Sequence, residues 1–169
     1  MSPGVVAASV AALAVALLLQ STVLGWLAVA GVKPDVSLIV LVFIALRKGS
    51  MIGQVSGFLT GVIEDLLSLS PLGFHALIKT VLGYLYGKVR GNLFVDAVIA
   101  PVVLVSVATL AKGLLSAVLG AVFLIPAANF GLFLGDIWIE LLYNGLLAPF
   151  LFALLRRIAI LNREDKERT

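Results

Sequence analysis

The chain has no cysteine, which excludes disulfides, thiolate metal sites and thiol nucleophiles. Histidine occurs once, at His75, and no ligand pair of the HExxH kind accompanies it, so no metal is expected. Charged residues make up only 12% of the chain, about half the share in a soluble domain. No phosphate-binding loop, dinucleotide fingerprint or nucleophile elbow occurs, so neither enzymatic activity nor a cofactor is expected. A net charge of +3 suggests nucleic acid at first sight. The basic residues form no stripe or run, however, and nucleic-acid binding is set aside.

Apolar sequence is abundant. The hydrophobic fraction is 62% and the mean hydropathy +1.18. Six stretches stand out, at about 5–29, 35–47, 51–67, 71–86, 95–125 and 130–155. The basic residues cluster in every second connection. Arg47 and Lys48 follow the second stretch and Lys88 and Arg90 the fourth, while Arg156, Arg157, Arg163, Lys166 and Arg168 follow the sixth. Short cytoplasmic loops carry the excess of Lys and Arg in membrane proteins. The expectation is therefore an all-α, polytopic inner-membrane protein: a six-helix domain over 1–161 and a charged tail over 162–169, with both termini cytoplasmic. The first stretch is expected to be a retained span, because its start lacks the positive charge of a signal peptide. The second and third stretches are short. A re-entrant hairpin would carry Arg47 and Lys48 into the membrane at about 2.5–3.5 kcal/mol each, so thin or tilted spans are the cheaper reading.

The densest pattern lies in the third stretch, where Gly53, Gly57, Gly61 and Asp65 recur every four residues. On a helix they share one face, and the glycines leave a groove that a neighbouring backbone can enter. Alanines at 7, 8, 11, 12 and 16 give the first stretch a similar character, and Pro71 is read as opening the fourth helix. The alternating topology places Glu64, Asp65, His75, Lys79, Lys112, Asp136 and Glu140 in the outer half of the membrane or just beyond it. Such groups face the bundle interior or an aqueous cavity and pair there. Two readings are open. Either these residues line an outward-facing cavity for a ligand or a partner's segment, or they pair internally, Asp65 or Glu64 with Lys79 and Glu140 or Asp136 with Lys112.

These residues also carry a resemblance. Leu19-Gln20-Ser21-Thr22, then Pro34-Asp35, then Gly53-x-x-x-Gly57-Phe58-x-x-Gly61-x-x-x-Asp65, then Pro71-Leu72-Gly73-x-x-Ala76-Leu77 and Gly83-Tyr84 follow one another as in the MreD family. The match covers about residues 19 to 84; the second half resembles the family only in hydropathy and basic tail. The resemblance implies a non-enzymatic scaffold that maintains rod shape within the cell-elongation, peptidoglycan-synthesising machinery. The implied direct partner is MreC, with MreB, RodA and its penicillin-binding transpeptidase as further members of the complex. It also implies a fold similar to the substrate-binding subunits of energy-coupling-factor vitamin transporters, and such a subunit is the alternative reading of the function. On this view the small-residue face of the third helix contacts a partner, with Pro34, Asp35 and Asp65 shaping its outer end.

Overall fold

The computed structural model describes residues 3–22, 28, 31–68, 70–91, 99–122 and 128–158, and the side chains of all of these except 128–135. Among the described residues the chain is all-helical: α1 (Pro3–Thr22), α2 (Val36–Lys48), α3 (Ser50–Leu67), α4 (Phe74–Lys88), α5 (Ile99–Val122) and α6 (Ala128–Arg156). The tail over 162–169 and the outer parts of the expected first and fifth helices lie outside the described residues.

The second helix is the axle of the bundle. Apart from Ser37 its sequence is apolar all round until Arg47 and Lys48, and a helix without a polar face must be buried on every side. Among its 13 residues only Arg47 is not buried, and α2 packs against each of the other five helices. Its Phe43 ring meets Phe152 of α6 edge-on, with centroids 5.2 Å apart. The helix starts one residue later than the sequence pattern indicates because Asp35 is its cap, accepting from the Leu38 N–H at 2.9 Å. It stops at Gly49, whose φ of +88° lets one residue end α2 and open α3.

The fourth helix departs from expectation. Pro71 does not open it; Pro71 and Leu72 belong to a turn, and the helix begins at Phe74 after Gly73 in the left-handed region, φ +96°. A glycine cap has no side chain to offer the first N–H groups, so these need another acceptor.

Helices α3 and α4 form a close hairpin, and α5 and α6 form a second, longer one. By length and composition α1, α5 and residues Asp136–Arg156 of α6 are able to cross a membrane. Helices α2 and α4, with 13 and 15 residues, rise only about 20–22 Å. Exposed apolar side chains such as Val103, Val107 and Leu114 on α5, with Leu142, Leu146 and Phe150 on α6, form the outer surface of the long hairpin. Such a surface suits hydrocarbon rather than water.

Candidate functional site: a buried polar knot

Asp35 is 2% exposed, yet it holds the centre of the most polar region in the described protein. One carboxylate oxygen accepts from Leu38 N and from the Ser37 hydroxyl at 2.8 Å, and the other from Lys112 Nζ at 2.7 Å. Lys112, from α5, also donates to Glu140 of α6 at 2.6 Å. Asn144, one turn after Glu140, accepts the Asp35 N–H at 2.8 Å and donates to Thr109 of α5 at 3.0 Å. On the other side the Ser37 hydroxyl accepts from Lys79 Nζ of α4 at 2.5 Å, and Lys79 pairs with Glu64 of α3. Gln20 of α1 accepts the Ser37 N–H at 3.3 Å. One connected set of polar groups therefore reaches all six helices.

The electrostatics follow from burial. Asp35, Glu64 and Glu140 oppose Lys79 and Lys112, three charges against two. None of these side chains is more than 18% exposed. In an apolar interior each charge is tolerable only with its counter-charge in place, and removing one partner typically costs about 3–5 kcal/mol.

Asp65 performs a separate task. Buried at 3% exposure, it accepts from the N–H groups of Gly73, His75 and Ala76 at 2.9, 2.8 and 3.2 Å. It supplies the capping acceptor that Gly73 lacks. The same carboxylate holds His75 Nδ1 at 2.9 Å. The family-like spacing from Gly61 to Asp65 thus fixes how α3 docks on the start of α4.

The glycine face faces inward. A Cβ added at Gly53 would overlap the Gly83 carbonyl, one at Gly57 the Lys79 carbonyl, and one at Gly61 the Ala76 backbone. Of the two roles open to this face, partner contact or helix packing, the geometry supports helix packing: α4 already fills it, and its glycines serve packing within the chain. The same holds for Asp35 and Asp65 as shapers of an exposed outer end, since both are buried and bonded internally. Pro34 lies buried beside Asp35. The alanines of α1 divide: Ala16 is buried, whereas Ala7 and Ala11 are exposed.

Of the two readings of the polar cluster, the geometry favours internal pairing, along two of the expected pairs. Lys79 takes Glu64 rather than Asp65, and Lys112 takes Glu140 rather than Asp136; the addition is Asp35, which shares Lys112 with Glu140. Asp136 is exposed and lines a pocket of about 170 Å³ with Lys33, Lys112 and Glu140. A second pocket, of about 180 Å³, lies against Gln20, Lys33 and Glu64. Lys33 borders both, so this end of the bundle holds two small recesses. Among the described residues no group of three or more acidic or histidine side chains could hold a metal ion.

Sequence reasoning missed Ser37, Thr109 and Asn144, and the α4 half of the glycine interface, Gly83 and Gly87. A signal for Asn144 was present: Asp136, Glu140 and Asn144 recur every four residues along an otherwise apolar helix. Gly83 and Gly87 share that spacing, and a Cβ on either would overlap the α3 backbone or the residue leading into it.

The model of one family, rod shape-determining protein MreD, matches residues 4–158. The chain belongs to the MreD family. The match extends the resemblance of residues 19–84 through the second half, where the sequence offered only hydropathy and a basic tail. The family gives this MreD protein a role in determining rod shape, and its long apolar helices make it a membrane protein. No curated protein and no solved structure matches the chain. The similarity to transporter subunits therefore finds no support beyond the helical architecture.

Proposed function

We propose that this MreD protein is a non-enzymatic scaffold of the cell-elongation machinery, a six-span protein of the inner membrane with both termini in the cytoplasm. MreC is the proposed direct partner, with MreB, RodA and its transpeptidase joining the complex. One observation supports the reading above the rest. The ionisable groups that an active site or a transport site would need are bonded to one another across the helices, and the recesses they leave are small. A protein wired in this way presents a fixed shape to its neighbours.

The orientation rests on a separation of charge. The described carboxylates, Asp35, Glu64, Asp65, Asp136 and Glu140, lie at one end of the bundle. Arg47, Lys48, Lys88, Arg90, Arg156 and Arg157 lie at the helix ends opposite. Arg90 donates to the Lys48 carbonyl at 3.3 Å, which brings the ends of α2 and α4 together. The basic end belongs inside.

The test is a pull-down of the full chain in mild detergent, read by mass spectrometry for proteins and small molecules. Recovery of a single-span MreC-type protein without a bound small molecule is expected. Recovery of an ATPase pair or a vitamin would overturn the proposal.

A further inference from the structure

The two hairpins offer a membrane apolar surfaces of different height. On α5 every exposed side chain is apolar, from Ile99 through Val107 and Leu114 to Val122. Ile99 and Val122 stand 23 residues apart, about 34 Å along the axis. Tilted by 40°, the upper end of the usual range, this surface still needs about 26 Å of hydrocarbon.

The short hairpin cannot use that much. Its α4 has 15 residues, about 22 Å, between two stretches of irregular backbone. On one side stand Pro71 to Gly73, with Leu72 68% exposed and Gly73 at φ +96°. On the other stand Val89 to Gly91, with Val89 exposed and Gly91 at φ +80°. Irregular backbone does not face lipid within hydrocarbon, because its N–H and C=O groups need water. Both stretches therefore lie outside the hydrocarbon, and tilting α4 only brings them closer together. Two side chains mark the same limit at the basic end. The Lys88 ammonium lies 5.5 Å from the centre of the Tyr84 ring, one turn nearer the middle of the helix, and Tyr84 is itself exposed. An exposed tyrosine beside an ammonium belongs at a membrane–water boundary. The partner helix does not lengthen this end, because a Cβ on Gly87 would overlap Ser50, which sets the two helix ends level. One flat bilayer cannot satisfy both hairpins.

We propose that the exposed face of the α3–α4 hairpin holds a locally thinned bilayer, with a hydrocarbon core of about 22 Å or less, while the α5–α6 face holds one of ordinary thickness, about 30 Å. The occupant of the short face is lipid with short or disordered acyl chains. The inference rests on the proposed six-span topology, since α4 sets a thickness only if it crosses.

The chain has no cysteine, so a single introduced cysteine carries a label at one known place. Spin labels at Val81→Cys and Leu110→Cys, both exposed and each midway along its helix, are compared with the full chain in vesicles of dioleoylphosphatidylcholine. Depth is read from relaxation by oxygen and by a water-soluble nickel complex. The Val81→Cys label is expected about 4 Å shallower than the Leu110→Cys label, half the difference between the two thicknesses. Equal depths would overturn the proposal. A Val81→Cys label that oxygen does not reach would also overturn it, and would assign the face to a protein neighbour. Leu72→Cys and Val89→Cys, probed with a membrane-impermeant maleimide in intact and permeabilised cells, separate topology from thickness. Reaction from opposite sides is expected. Reaction from the same side would remove the six-span reading and the proposal together, whereas opposite sides with equal depths would remove the proposal alone.

Discussion

The two hairpins of this protein lean on different contacts, although Glu64 and Lys79 also pair across the first. Between α3 and α4 the contact is backbone against backbone, possible only because Gly53, Gly57 and Gly61 meet Gly83, Lys79 and Ala76 without side chains of their own. The α5–α6 hairpin is tied to α2 through charges, Lys112 reaching Asp35 and Asn144 receiving the Asp35 N–H. Close glycine packing gains many small dispersion contacts and tolerates no added atom. An ionic tie tolerates changes of shape but not the loss of a partner. One molecule thus contains a region sensitive to volume and a region sensitive to charge.

Gly57→Leu is expected to have the largest effect. Four added carbons meet the Lys79 backbone, which has no rotamer to yield, and the loss should exceed the ~1–3 kcal/mol of ordinary overpacking. Thermal unfolding in bicelles checks it, and a wild-type midpoint would show that the two backbones are not in contact. Asp35→Ala comes next, at about 3–5 kcal/mol, because Lys112 keeps a buried charge with half its partners. The triple variant Asp35→Leu/Lys112→Met/Glu140→Gln, which removes the counter-charge of Lys112 on both sides together with Lys112 itself, should recover much of that loss. An additive result would mean that the three residues are not coupled.

Asp65→Ala strips acceptors from three N–H groups at the start of α4 and should destabilise by about 1–3 kcal/mol. Hydrogen exchange should locate the effect at Gly73 to Ala76. The sharpest comparison is the smallest in energy. Gly145 on α6 has room for a methyl group, its nearest neighbours being Ser106 Oγ at 3.6 Å and Val102 at 3.7 Å. Gly145→Ala should therefore be neutral or stabilising by up to about 1 kcal/mol, whereas Gly57→Ala unfolds the first hairpin. If both glycines tolerate alanine equally, the distinction between the two regions fails.

The sequence made the helical class and the approximate placement of the helices readable, because apolar runs and basic clusters are local properties. Pro71 misled: proline marks a preference for a first helical turn, but Gly73 with its positive φ and the distant Asp65 decided where α4 begins. The grouping of Glu64, Lys79, Lys112 and Glu140 was within reach, and each lysine's partner was narrowed to two carboxylates of which one forms the pair. Which of the two was not legible. Pairing depends on the rotation of each helix about its axis, and Ser37 and Asn144 enter the knot only through that rotation. The glycine face showed that a backbone approaches α3 closely without showing whose backbone it is.

The central position of α2 has a consequence for how the chain is made. Asp35 depends on Lys112, 77 residues later, and on Asn144, 109 residues later. At about 5–20 residues per second of synthesis, Asp35 waits about 5–20 seconds for its last partner. Until α5 is made, a helix of 13 residues, too short to cross alone, has only α1, α3 and α4 for company. The nascent protein should therefore pass through a half-built stage with an unanswered carboxylate, and that stage is where insertion factors and quality-control proteases have their opportunity to act.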